Sequence, residues 1–187
     1  MAANSPDKKG MAMNETYQVD DTILYGINGV CRVVEIARRE FDGKNVDYYV
    51  LQPVYSDQSL IYVPMNNEAL TSRMRRVLSR EQVDHLIDEL PYKEADWIEN
   101  ENERRETFRQ ALSKAEPDKV AKVIKCIYEH REELQTKGKK LRQADERIFH
   151  EAEKILYSEF ALVLHMEPDQ VQPFILERVR AAQRRSS

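Results

Sequence analysis

The spacing of apolar residues changes once along this chain, from every second residue to every three or four, near residues 76–79. No other feature limits the fold more. A period of two places alternate side chains on opposite faces of a strand, and a period of 3.6 builds one stripe along a helix. A chain that switches once is therefore expected to be a β module followed by a helical one.

The first stretch is rich in Val, Ile, Tyr and Thr and is punctuated by Asn28-Gly29 and Asp42-Gly43. These residue types fit a pleated, half-buried surface, and the dipeptides tolerate the positive φ of tight turns. Strands are expected over residues 22–25, 30–41, 46–55 and 60–63, with a short last one near 70–74. Five short antiparallel strands in so little chain suggest a small barrel of the SH3 or Tudor kind.

Past the switch, Ser79 and Gln82 form a capping pair for a helix that Pro91 stops. Asp96 with Glu99 offers a second capping pair for a helix reaching about Lys114. Pro117 suits the first turn of the next helix, and Gly138 ends it. A stripe of Ile148, Ala152, Ile155, Leu156, Phe160 and Val163 follows. A final helix is expected after Pro168, with Ile175 and Val179 inward, Pro173 kinking it or delaying its start, and residues 181–187 frayed. The fold class is thus α+β: an N-terminal small SH3/Tudor-like antiparallel β-barrel, then an all-α domain. The divisions are a disordered tail (1–16), a β domain (17–76) and a helical domain (77–187).

Bulk properties narrow the function. The chain has 187 residues, 33% of them charged, with a net charge of −4, so any basic patch that meets a polyanion must be local. No run approaches the length of a membrane span, and the polar N-terminus lacks a signal-like apolar segment, so a cytoplasmic location and no membrane partner are expected. Cys31 and Cys126 lie among apolar neighbours, without metal-type spacing, and read as buried small hydrophobes. His85, His130, His150 and His165 each stand alone on an expected helix. No motif for a nucleophile, a phosphate-cradling loop or a metal is present. No enzyme, cofactor or metal is expected, although a catalytic site assembled from scattered residues stays open as an alternative.

The β module reads VDDTILYGINGVCRVVEIARREFDGKNVDYYVLQPVYSDQSLIYVP. It resembles the RNA polymerase-interacting domain of the CarD/CdnL family of bacterial transcription regulators, a domain shared with transcription-repair coupling factors. Val19, Asp21, Tyr25, Gly29, Val30, Arg32 and Val33 match the first part of the family pattern. Gly43, Tyr48, Tyr49, Val50 and Leu51 match the second, and Val63-Pro64 the close. Asp20 and Cys31 replace glycines of the pattern, Gly26 a proline and Asn28 a histidine, so the departures gather in the first loop. The likeness continues to a tryptophan-containing segment at Trp97, a basic loop, and a helix in which Ala152, Ile155, Leu156, Glu159, Phe160 and Ala161 match. It spans both modules, about residues 19–164, and no motor motif of a coupling factor accompanies it.

The resemblance implies a β module that binds the RNA polymerase β subunit and a tryptophan that wedges into the promoter minor groove at the upstream bubble edge, stabilising the open complex. Arg39 falls on a family polymerase contact. Tyr62 falls where the family has a second contacting arginine, and Ile61 and Tyr62 lie on a strand suited to edge pairing. Trp97 is the chain's one tryptophan. Its alternative reading is the outer end of a core stripe with Phe108.

The approach to Trp97 is acidic, with nine acids and one base from Glu81 to Glu103. Positive charge follows in two runs, 104–125 and 137–147. Candidate DNA contacts are therefore Trp97 with Arg104, Arg105, Arg109, Lys137, Lys139, Lys140 and Arg142; solvated helix faces and capped helix ends are their plain alternative. DNA affinity is expected to be weak without polymerase. A monomer is expected, although open barrel edges permit a dimer. The rival to the DNA-contacting reading is a polymerase-binding adaptor that never touches DNA.

Overall fold

The computed structural model describes residues 16–56 and 59–185. The tail expected over 1–16 lies outside the described residues except for Thr16. Five antiparallel strands form one sheet: β1 (Thr22–Tyr25), β2 (Val30–Phe41), β3 (Lys44–Pro53), β4 (Ile61–Pro64) and β5 (Met74–Arg76). Their order is β4-β3-β2-β1-β5, so β4 and β5 are the edges. The β2–β3 hairpin turns on Asp42 and Gly43, with φ of 51° and 70°. Because that two-residue loop matches the twist of its strands, β3 begins at Lys44, earlier than the apolar pattern suggested. An irregularity in register between Val33 and Glu35 marks a bulge in β2, which bends the strand locally. Inside the sheet lies a small core of Ile23, Tyr25, Cys31, Val33, Tyr49, Leu51, Val63 and Met74.

One strand differs from expectation. Leu70 lies in a short helical turn, α1 (Glu68–Thr71), because the Asn67 side chain accepts from Leu70 N–H and starts that turn. The fifth strand follows it as Met74–Arg76, pairing with β1.

Five further helices follow among the described residues: α2 (Arg80–Glu89), α3 (Glu101–Ser113), α4 (Pro117–Thr136), α5 (Gln143–Leu164) and α6 (Pro168–Arg185). Ser79 and Gln82 make the reciprocal capping box at α2. Pro91 falls within a 3-10 turn, Leu90–Tyr92, that closes it. The cap of α3 is Asn100, whose side chain accepts from Asn102 and Glu103 N–H, so the expected Asp96–Glu99 cap is not the one used. Residues 93–99 run without regular structure. His165 is not within a helix: with φ of 55° it forms the left-handed cap of α5. α6 begins at Pro168 without delay, carries Pro173 inside it, and continues to Arg185 rather than fraying at 181.

The two modules share a core. Leu24 and Val30, from the sheet, belong to the cluster built by α2–α6 around Phe149, Ile155, Leu156 and Phe160. Gly29 lets them meet. A Cβ there would stand 2.7 Å from Ser158 Oγ, the group to which Val30 N–H donates at 3.2 Å. At the same boundary Glu159, with no exposed surface, receives both arms of the Arg75 guanidinium at 2.6 and 2.7 Å. It also accepts from Leu78 N–H at 2.8 Å. Arg75 Nε completes the junction by donating to Ala115 O at 2.9 Å. A buried carboxylate is tolerable only when paired and hydrogen-bonded in this way.

Candidate nucleic-acid interface and protein-docking edge

Trp97 lies on the extended strap that leads into α3, not in the first helical turn. The strap is held from both sides. Lys125 of α4 donates to Pro91 O and Lys93 O at 3.0 and 2.7 Å, and Cys126 Sγ approaches Asp96 O at 3.3 Å. Arg104 of α3 donates to Ile98 O at 2.7 Å. The half-buried indole stacks on His130, ring centroids 3.6 Å apart and planes 11° from parallel. The Arg104 guanidinium lies 4.3 Å from the indole centroid, and Phe108 meets it edge-on at 6.4 Å. The ring therefore packs at the end of the stripe that holds Phe108 without being fully covered. One part of the ring belongs to the core periphery and another stays in solvent.

Arg104 departs from its expected role as a phosphate contact. It is 3% exposed and clamps Asp145, also 3% exposed, through two bonds of 2.9 Å. Its donors are used in tying α3 to the start of α5 and to the strap, so it braces Trp97 from inside. Every fourth position of α3 from Arg104 (Arg104, Phe108, Leu112) is buried, which is why an arginine inside that stripe is structural.

The other basic residues remain on the surface. Arg142, at the start of α5, pairs with Glu101 at the start of α3. That bond brings the basic loop 137–142 beside the strap. Lys137 pairs with Glu133 at 2.5 Å on the end of α4. Lys139 and Lys140 are exposed and carry no ion pair among the described residues. Arg105 is half-buried and donates to Asn102 Oδ1 at 3.0 Å, while Arg109 is exposed one turn further along α3. The acids nearest Trp97, Asp96 and Glu99, are also exposed. The site therefore offers one braced aromatic ring with exposed cations and exposed acids around it.

The second set gathers on the sheet. Arg39 of β2 and Tyr62 of β4 touch: the guanidinium lies 4.6 Å from the ring centroid and Nη2 donates to the phenol oxygen at 3.3 Å. Ile61 turns partly inward against the β core. Among the described residues β4 pairs only with β3 and its outer edge has no partner strand. Ile36, Leu60 and Tyr62 are each more than 40% exposed. Sequence reasoning missed Ile36 and Leu60, since an exposed apolar side chain looks like any strand residue until its face is known. It also missed His130, whose signal is only its place on α4 opposite the strap.

Neither cysteine is poised for chemistry. Burial pushes the Cys31 thiol up to about 12 and the Cys126 thiol up to about 11. Among the described residues no cluster of His, Cys, Asp and Glu could hold a metal ion, and no helix is long and apolar enough to cross a membrane.

Comparison with known families agrees with this architecture in both halves. Residues 17–78 match the family model described as the CarD-like/TRCF RID domain, and residues 85–176 match that of the CarD C-terminal domain. The first is Tudor-like and consistent with the antiparallel sheet. The matches cover most of the chain, one module each and in order, and they mark an RNA polymerase-interacting transcription factor: this protein belongs to the CarD family.

Proposed function

We propose that this protein docks on the β subunit of RNA polymerase through the β4 edge and the Arg39–Tyr62 pair, and that Trp97 enters the minor groove at the upstream edge of the transcription bubble to stabilise the open promoter complex. The observation that carries the DNA half is that Arg142–Glu101 ties the basic loop to the start of α3, next to the strap that holds Trp97 and that Arg104–Asp145 braces. An apolar wedge unstacks a base step at a cost of a few kcal/mol, and that cost is least where the duplex is already opening. A wedge at the bubble edge therefore binds the open state better than the closed one, which is what shifts the equilibrium.

The bracing matters to this mechanism. An indole fixed by His130 and Arg104 gives up little side-chain freedom on insertion, and ordering a free side chain would cost about 0.5–1.5 kcal/mol. Few cations face DNA, so affinity depends on tethering through polymerase, which raises the effective concentration. The Arg39–Tyr62 pair supplies a cation held over an aromatic ring where the family pattern has two arginines. Edge pairing along β4 supplies backbone hydrogen bonds.

A second reading is favoured by one observation, the acidic flank of Trp97 formed by Asp96, Glu99 and Glu103. Under it the protein is a polymerase-binding adaptor, and the same face meets a protein. Two variants separate these. Arg39→Ala with Tyr62→Ala should abolish binding to polymerase under both readings. Trp97→Ala, at full polymerase occupancy, should remove protection of the upstream bubble edge in a promoter footprint under the first reading only.

A further inference from the structure

A cleft of about 330 Å³, floored by Tyr25, Ile27 and Leu112, opens where the β module meets α3 and α5. Arg73, from the segment between α1 and β5, and Arg109, from α3, both line it, together with Asn28, Ser113 and Glu151. Both arginines are exposed, and neither has a carboxylate within ion-pairing distance among the described residues. Glu151 is the single acid of the lining, so the cleft is net positive in a protein of net charge −4.

The cleft continues a line of charge. Arg105 and Arg109 are four residues apart and share one flank of α3, with a rise of about 6 Å between them. That is the scale of the step between phosphates on one DNA strand. Two acids of α3 lie near this flank and both are engaged: Glu101, one turn before Arg105, pairs with Arg142, and Glu106 accepts from Gln110 at 2.9 Å. At its other end the line starts at the Lys139–Lys140 loop, which Arg142–Glu101 ties to the start of α3.

We propose that the phosphates of one DNA strand run from the basic loop along the Arg105–Arg109 flank of α3 and onto the β module, with Arg109 and Arg73 holding phosphates at the junction. The surface rests on the DNA-contacting reading above and extends it: the polymerase-binding module itself touches DNA. Asn28 adds a neutral donor at the cleft. Because these are backbone contacts, they set the strand's path and carry no base preference.

The salt dependence of binding tests it. A labelled forked duplex is titrated with full-length protein at a series of NaCl concentrations, following anisotropy. Each phosphate contact contributes about 0.9 to the slope of log K against log salt. Arg73→Ala and Arg109→Ala should each lower the slope by about that amount, and weaken binding to every sequence alike. Arg32→Ala, which removes an exposed arginine of β2 away from the cleft, should leave the slope unchanged. An unchanged slope for Arg73→Ala, or an equal loss for Arg32→Ala, overturns the path onto the β module while the wedge reading stands. If wild-type protein fails to bind the fork at the lowest salt and also fails in the presence of polymerase, the DNA-contacting reading falls, and this surface with it.

Discussion

Arg75 of the sheet and Glu159 of α5 form a two-point ion pair across the boundary between the modules, at 2.6 and 2.7 Å, with the carboxylate fully buried. Glu159 stands in the late-helix motif by which the chain resembles its family, and the structure gives that residue a task. It holds β5 and the link at Leu78 between β5 and α2 against α5, docking the β module on the helical one. Removing one partner of a buried pair leaves an uncompensated charge or orphaned donors, typically at about 3–5 kcal/mol. Glu159→Ala should lose stability on that scale in urea unfolding. Nuclear spin relaxation should then show the two modules tumbling separately where the wild type tumbles as one.

Arg104 and Arg109 are five residues apart on one helix and should behave oppositely. Arg104→Ala strands buried Asp145 and unfastens the strap, so stability should fall by about 3–5 kcal/mol. The emission of Trp97, the only tryptophan, should shift to longer wavelength as its ring loses packing. Arg109→Ala touches an exposed side chain and should change stability by less than about 0.5 kcal/mol. A salt-dependent loss of DNA binding with an unshifted emission is its expected signature.

The first loop can be tested by restoring family residues. Asp20 has a φ of 72°, a left-handed conformation that strains a side-chain-bearing residue by about 1–2 kcal/mol, and the family pattern has glycine there. Glycine's greater freedom when unfolded offsets part of that gain, so Asp20→Gly should stabilise by about 0.5 kcal/mol in thermal melts. Gly26→Pro should do the reverse. Gly26 has a φ of 47° and its N–H donates to Arg73 O at 3.1 Å. Proline can satisfy neither, so a loss of about 3 kcal/mol is expected.

Thiol chemistry should be silent in the folded state. The thiolate is the reactive form, and burial holds Cys31 near 12 and Cys126 near 11. At pH 8 both stay protonated and covered. Alkylation should be negligible in native buffer and should label both cysteines once denaturant is added; fast labelling of either in native buffer would contradict its buried placement.

The elements legible in the sequence are those with a local cause. The Asp42-Gly43 turn, the Ser79–Gln82 box, Pro117 and Gly138 each act on their own neighbours, and each stands where the pattern put it. What was hidden depends on tertiary contact. Asn100 caps α3 in place of Asp96 because Arg104 and α4 hold 93–99 extended. Arg104 looked like one base in a basic run, and only its pairing with Asp145, 41 residues away, makes it structural. Lys139 and Lys140 stand exposed beside the strap, and Arg39 and Tyr62 meet as a pair. The bond between Arg142 and Glu101, which joins the basic loop to the start of α3, has no trace in local spacing.

The lifetime of open complexes tests the central claim most directly. Polymerase and a ribosomal-type promoter are assembled with wild-type protein or with Trp97→Ala, at equal occupancy, and challenged with a competitor. Wild-type protein should lengthen the lifetime and Trp97→Ala should not. Equal lifetimes for wild type, Trp97→Ala and polymerase alone, with both proteins bound, would contradict the wedge and leave an adaptor that holds polymerase without touching DNA.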